Sequence, residues 1–217
     1  MNTKRTIFWA SFLIIMVLIV WGLIVAMNKT PCEIKLSEPA PISTTHHIRV
    51  ASTSPVTVIE YGDFECPACA TWYSVVERLS SSTSTPIRFI FRHFPLYPLP
   101  HKNAFLASQA AEAAGRQGAF WDMYSLLYEN QVAWEKSATA TAIFEGYAER
   151  IGINVAAYKK DFESSEIKAR IQADKDEGTA IGVGSTPTFF VNGKAIRPKN
   201  HEDFKTIIEA AARDSSN

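Results

Sequence analysis

Cys66 and Cys69, in the run Glu-Cys-Pro-Ala-Cys, are the residues of this chain whose types and spacing can do chemistry. A Cys-x-x-Cys pair can cycle between dithiol and disulfide through a mixed disulfide with another protein. The same spacing is also half of a zinc site, or an inert crosslink. No second pair accompanies it: Cys32 lies far upstream, and His46, His47, His93, His101 and His201 show no ligand spacing to Cys66. Redox exchange without a metal is therefore the expected chemistry.

The elements that must hold the pair make its two sulfurs unequal. Val56, Val58 and Ile59 are β-formers, and beyond Gly62 and the cysteines come Trp72, Tyr73, Val75, Val76 and Leu79 at helical spacings. A strand thus hands over to a helix, and Pro67 suits the first helical turn, where its missing N–H costs nothing. Cys66 then lies at the helix N-terminus, where unpaired N–H groups and a partial positive charge favour a thiolate. Cys66 is the expected nucleophile, and Cys69 the buried thiol that closes the ring and expels a bound partner. Asp63 and Glu65 are expected to oppose this by repelling the thiolate.

Residues 87–94, between Pro86 and Pro95, form a second β-rich run. Strand, helix, strand predicts a parallel crossover with the cysteines at the carboxyl end of a strand. The chain has no proline from Lys102 to Thr186, and residues 103–182 read as an inserted set of helices whose aromatics are core. β-character returns at 186–191, where Asn192-Gly193 supplies a type I′ turn, and a last amphipathic helix is expected over 202–213.

Residues 7–27 carry no charge over 21 positions, enough to cross a bilayer and longer than a cleavable signal core. Lys4 and Arg5 before the span, against Lys29 after it, predict a cytoplasmic N-terminus and an outward-facing domain. Residues 28–55, with Pro31, Pro39, Pro41 and Pro55, read as a linker, a flexible coil of roughly 25–30 Å r.m.s. span, with a short strand near Ile48 to Ala51 as a candidate first piece of the domain. His46-His47 is expected to be solvated. Lys29-Thr30-Pro31 is a poor lead-in for lipid attachment, which leaves Cys32 a spare thiol or a bond to another chain. Formal charge is zero, and without residues 1–27 it is 20 basic against 22 acidic residues, so no basic stripe argues for nucleic acid. The expected organisation is an anchor over 1–27, a linker over 28–55, a domain over 56–213 and a tail over 214–217.

In this order of parts the chain resembles the DsbA-like branch of the thioredoxin superfamily, over most of its length. Three stretches add to the cysteines: Glu60 six residues before Cys66, Thr186-Pro187 ahead of Thr-Phe-Phe-Val-Asn-Gly, and the runs Phe-Arg-His-Phe-Pro-Leu from Phe91 and Gln-Gly-Ala-Phe-Trp from Gln117. The resemblance implies an α/β thioredoxin fold with an inserted helical subdomain, preceded by an N-terminal transmembrane helix. It implies that Glu60 is a buried acid that takes the Cys69 proton, and that a cis Thr186-Pro187 bond opposes Cys66 and pairs with substrate backbone. It also implies a membrane-anchored, extracytoplasmic thiol:disulfide oxidoreductase of a bacterial cell membrane, monomeric and without cofactor. Its partners would be unfolded secreted or surface proteins with cysteines, and a quinone-coupled membrane reoxidase. Ala68 stands where strongly oxidising members carry histidine, which points to a weaker oxidant. A reductase or isomerase of the same fold, and a non-catalytic tethered chaperone, are the alternatives.

Overall fold

The computed structural model of the chain describes Trp9, Leu13 and residues 16–21, 36–43, 46–50, 54–80 and 86–215. Strand β1 spans His47–Val50, β2 Val56–Gly62, β3 Ile87–His93, β4 Thr188–Val191 and β5 Lys194–Ile196. They make one mixed sheet in the order β1-β3-β2-β4-β5. β2 is central, parallel to β3 and antiparallel to β4. Helix α1 (Pro67–Ser80) connects β2 to β3, and α2 (Ala104–Gly115), α3 (Phe120–Glu129), α4 (Gln131–Trp134), α5 (Ala140–Arg150), α6 (Val155–Phe162) and α7 (Ser165–Ala180) lie between β3 and β4. Helix α8 (His201–Asp214) follows β5. The expected helical insertion and parallel crossover are present. Asn154, Ser164 and Asn200 cap α6, α7 and α8 by accepting from the backbone N–H of Ala157, Ile167 and Asp203.

The alternation of β2 divides the core. Val56 and Val58 join Phe89, Phe91, Phe189 and Val191 in a cluster with α1, α8 and the inserted helices. Ile59 and Tyr61 point the other way, into a smaller cluster with Ile90, Phe94, Val183 and Phe190. Both faces of the sheet are covered, so its strands are apolar on both faces. Phe120, Tyr124, Tyr128, Trp134, Phe144, Tyr158 and Phe162 of the insertion are buried, as core rather than groove. Asn192 and Gly193 have φ of 48° and 80°, the left-handed pair that a tight turn between β4 and β5 needs.

The expected linker needs correction. The chain forms two compact units, Met1–Lys35 and Leu36–Asn217, so the second half of the 28–55 stretch belongs with the domain. Buried Arg92 donates to Ala40 O at 2.6 Å, and Ala40 N donates to Glu177 Oε1 at 2.7 Å. Leu36, Ile42 and Ile48 pack on the smaller cluster, and β1 pairs with β3 from His47 to Val50. Scattered apolar residues among prolines read as linker, yet these cover one face of the sheet. His46 and His47 are likewise engaged: His46 Nε2 is 3.8 Å from Asp174 and His47 Nε2 is 3.1 Å from Glu112.

Of the expected span over 7–27, only Trp9, Leu13 and residues 16–21 are described; they are helical, and their side chains are exposed. Among the described residues no helix is long and apolar enough to cross a membrane. Lys4, Arg5, Lys29 and Cys32 lie outside the described residues.

Candidate active site

The site begins at the carboxyl end of β2, between two neighbours that hold it in register. Glu60 is opposite Phe91 on β3 and Phe189 on β4, so it sits in the middle of the sheet and is 1% exposed. A solvated edge acid is excluded. Gly62 must be a glycine: a Cβ there would lie 2.3 Å from the Phe91 ring. That close approach lets the strand end turn tightly through residues 63–66 into α1.

Cys66 immediately precedes Pro67, the first residue of α1, and its N–H donates to Asp63 O at 3.1 Å. Cys66 is 7% exposed and Cys69 fully buried. A hydrogen bond from the Cys69 thiol is the largest influence on Cys66. Burial opposes it, and the Thr186 side chain and the backbone N–H groups of Cys69 and Ala68 reinforce it. Together they bring the Cys66 thiol down from 9.0 to about 6. Cys69 moves the other way, well above 9.0, because it is desolvated and because Cys66 and Glu60 lie beside it. One thiol of the pair is thus largely ionised at neutral pH and the other is not.

Burial, with a smaller contribution from the Cys66 charge, raises the Glu60 carboxyl from 4.5 to about 8. Its Oε2 is buried without a hydrogen-bond partner. A carboxyl so placed holds or releases a proton near neutral pH beside Cys69. The Thr186–Pro187 bond is cis. Thr186 O accepts from Cys66 Sγ at 3.3 Å. The structure therefore brings Cys66, Pro67, Ala68, Cys69, Glu60, Thr186 and Pro187 to one place. Among the described residues, no group of three or more His, Cys, Asp or Glu is arranged to hold a metal.

The expected repulsion from Asp63 needs revision. Asp63 is fully buried, with Oδ1 accepting from Glu65 N at 2.7 Å and Oδ2 accepting from Leu96 N at 2.9 Å. Its Oδ2 is also 2.7 Å from His101 Nδ1, so the carboxylate is paired with an imidazole. Glu65 Oε2 accepts from Asn103 N at 2.6 Å. Sequence reasoning missed His101, and it missed Gln131, whose Nε2 donates to Phe64 O and Cys66 O at 2.7 and 3.1 Å. Neither residue has a spacing that relates it to Cys66. The only hint was their place at the ends of segments rich in Pro or aromatic residues. Two more cis bonds, Tyr97–Pro98 and Leu99–Pro100, shape the loop that carries His101.

The sequence profile of a family described as Thioredoxin matches residues 43–210. The chain belongs to the thioredoxin family. With its helices inserted between β3 and β4, its fold is that of the DsbA-like branch. It superposes on BdbD of Bacillus subtilis in the oxidised form with TM-score 0.71 at 23% identity, over 82% of this chain and 99% of that one. Wolbachia pipientis α-DsbA1 gives 0.70 at 17% identity, over 81% and 94%. MdbA, a thiol-disulfide oxidoreductase of Corynebacterium diphtheriae, gives 0.61 at 20%, over 85% and 99%. A curated relative, the Na(+)/H(+) antiporter NhaA 1 of Salinispora arenicola, is 41% identical over 148 residues, 68% of this chain. The chain spans 22% of that protein's length.

Proposed function

We propose that the chain is a membrane-anchored, extracytoplasmic thiol:disulfide oxidoreductase that introduces disulfides into secreted proteins. The observation that carries this reading is the opposed ionisation of the two sulfurs, Cys66 brought down to about 6 and Cys69 pushed up, beside a carboxyl held near 8. In the oxidised protein a substrate thiolate attacks Cys66 Sγ. The Cys66–Cys69 bond breaks, and Cys69 leaves with the electron pair and takes the Glu60 proton. A second substrate thiolate then attacks the substrate sulfur of the mixed disulfide, and Cys66 leaves as the stabilised thiolate. Two electrons and two protons have passed from the substrate dithiol to the pair and solvent. Reoxidation falls to a membrane partner of the quinone-coupled type, whose effective concentration the anchor raises.

The cis Thr186–Pro187 turn beside Cys66 offers backbone to an extended substrate. Tyr97, Leu99 and Val132 are exposed, the last two 75% and 87%. They sit on segments tied to the Cys66 turn through Asp63 and Gln131, and suit an unfolded, apolar chain. The apolar, exposed helical residues at 16–21 support an anchor.

A second reading, a reductase, is favoured by Ala68, which adds no polar atom to the ring. The deciding experiment equilibrates the pair with glutathione. An oxidase shows a potential well above about −270 mV, and a value there makes the protein a reductase. Cys66→Ser abolishes disulfide transfer in either; a wild-type chain that transfers no disulfide, and whose Cys66→Ser variant still binds unfolded chains equally well, contradicts both and leaves a scaffold.

A further inference from the structure

Residue 68 is alanine, so the four-residue ring brings no cation to Cys66. The loop after β3 instead brings an imidazole, His101, which Asp63 holds. Asp63 accepts from Cys66 N through its carbonyl oxygen at 3.1 Å and pairs with His101 Nδ1 through Oδ2 at 2.7 Å. One buried residue thus fixes both the turn that carries the nucleophile and an imidazole 38 positions later in the chain. The imidazole is mostly covered, its side chain 15% exposed, so its charge acts through protein more than through water.

The geometry points to His101 as the electrostatic tuning residue of this site, an imidazolium held by Asp63 that favours the thiolate of Cys66. This deepens the oxidoreductase reading and rests on it for its biological use. His101 moves no proton in the exchange: the Cys66 S–H proton goes to solvent, and the electron pair stays on sulfur under the imidazolium field. The Asp63 hydrogen bond raises the His101 pKa against the effect of burial, and Asp63, Cys66 and Glu65 raise it further. An interaction that raises His101 on account of Cys66 lowers Cys66 on account of His101. The charged groups that act on it are Asp63, Glu65 and Cys66 on the turn; Lys102 follows it in its own loop, Lys136 acts on Glu65 from beyond α4, and Lys175 of α7 donates to Tyr97 O in the same loop at 3.4 Å. By pairing with Asp63, His101 neutralises a carboxylate that would otherwise disfavour the thiolate.

The test is a thiolate absorbance titration of the reduced full-length chain in a Cys32→Ser background, with His101→Gln and His101→Lys. The Gln variant should raise the Cys66 midpoint by about half to one unit and make the pair roughly three- to tenfold less oxidising against glutathione. The Lys variant, which keeps the charge, should restore both. A shift under about 0.2 units in the Gln variant, or an equal shift in both variants, overturns the proposal. A measurement needing no variant is the His101 imidazole titration by NMR, whose midpoint should fall when the Cys66–Cys69 disulfide forms and the thiolate disappears. An unchanged midpoint also overturns it. A coupled titration in a chain that transfers no disulfide would sink the oxidoreductase reading alone; active transfer with uncoupled titrations would sink only the role of His101.

Discussion

At the scale of single residues, the site works by dividing one proton affinity into two. Cys66 and Cys69 share a helical turn, but Cys66 is at the open end of α1 and Cys69 is sealed beneath it. Glu60 is the third member, and its burial has a measurable cost. An acid whose folded pKa is raised from 4.5 to about 8 carries stability that is full below its unfolded pKa and is lost as pH rises through about 8. Glu60→Gln should therefore match wild type near pH 4 and be more stable at pH 9, by up to about 5 kcal/mol. Urea unfolding at the two pH values checks this. The same variant should slow disulfide transfer by about a hundredfold, since Cys69 then leaves without a proton donor. Most of these residues are legible in the sequence, because Cys-x-x-Cys behind a β-run fixes a strand-to-helix turn. Glu60 and Pro187 are legible only through the resemblance. Asp63 is misread as a repelling charge because its neutraliser, His101, arrives from a loop that no local spacing ties to it.

At the scale of elements, β1, β3 and α2 meet at one buried carboxylate. Glu112 on α2 lies 3.1 Å from His47 Nε2 on β1 and 2.9 Å from His93 Nε2 on β3, and His47 stacks on Phe120 with ring centroids 3.7 Å apart. Burial pushes the Glu112 carboxyl up, but the two histidines outweigh it and hold it well below 4.5. A depressed acid carries stability that is present above its unfolded pKa and is lost as pH falls through its folded one. Glu112→Gln should cost about 2–3 kcal/mol at pH 7 and show a shallower loss of stability than wild type below pH 4.5, as thermal melts across that range will show. The helices themselves are legible, since the proline-free run from 103 to 182 keeps its caps and its apolar spacing. Their convergence on Glu112 is not, because a carboxylate amid alanines on a helix reads as solvated unless its partners are seen.

At the scale of the whole molecule, the domain is the unit Leu36–Asn217, larger at its start than composition suggests. The stretch over 36–43 is latched by Arg92, which is 1% exposed and donates to Ala40 O, Tyr61 Oη and Glu177 Oε2. A chain beginning at Leu36 should melt within about 2 °C of the full chain, and one beginning at Ser54, which leaves Arg92 and Glu112 short of partners, should lose about 3 kcal/mol or more. On the anchor reading, the full chain should stay with membranes through alkaline carbonate extraction while the chain from Leu36 is released. The strand near Ile48 is legible in the sequence, but the stretch over 36–43 is not, because prolines and single apolar residues have no period; only the covered sheet face and the Arg92 pocket give them a place.

The unequal ionisation of the two neighbouring sulfurs is tested most directly by the pH dependence of iodoacetamide alkylation of each in the reduced full-length protein. Peptide mass spectrometry resolves the two sites. Cys66 should react with a midpoint of about 6, while Cys69 stays protected until well above 9.0. Two cysteines that both titrate near 9.0, like free thiols, would contradict the account.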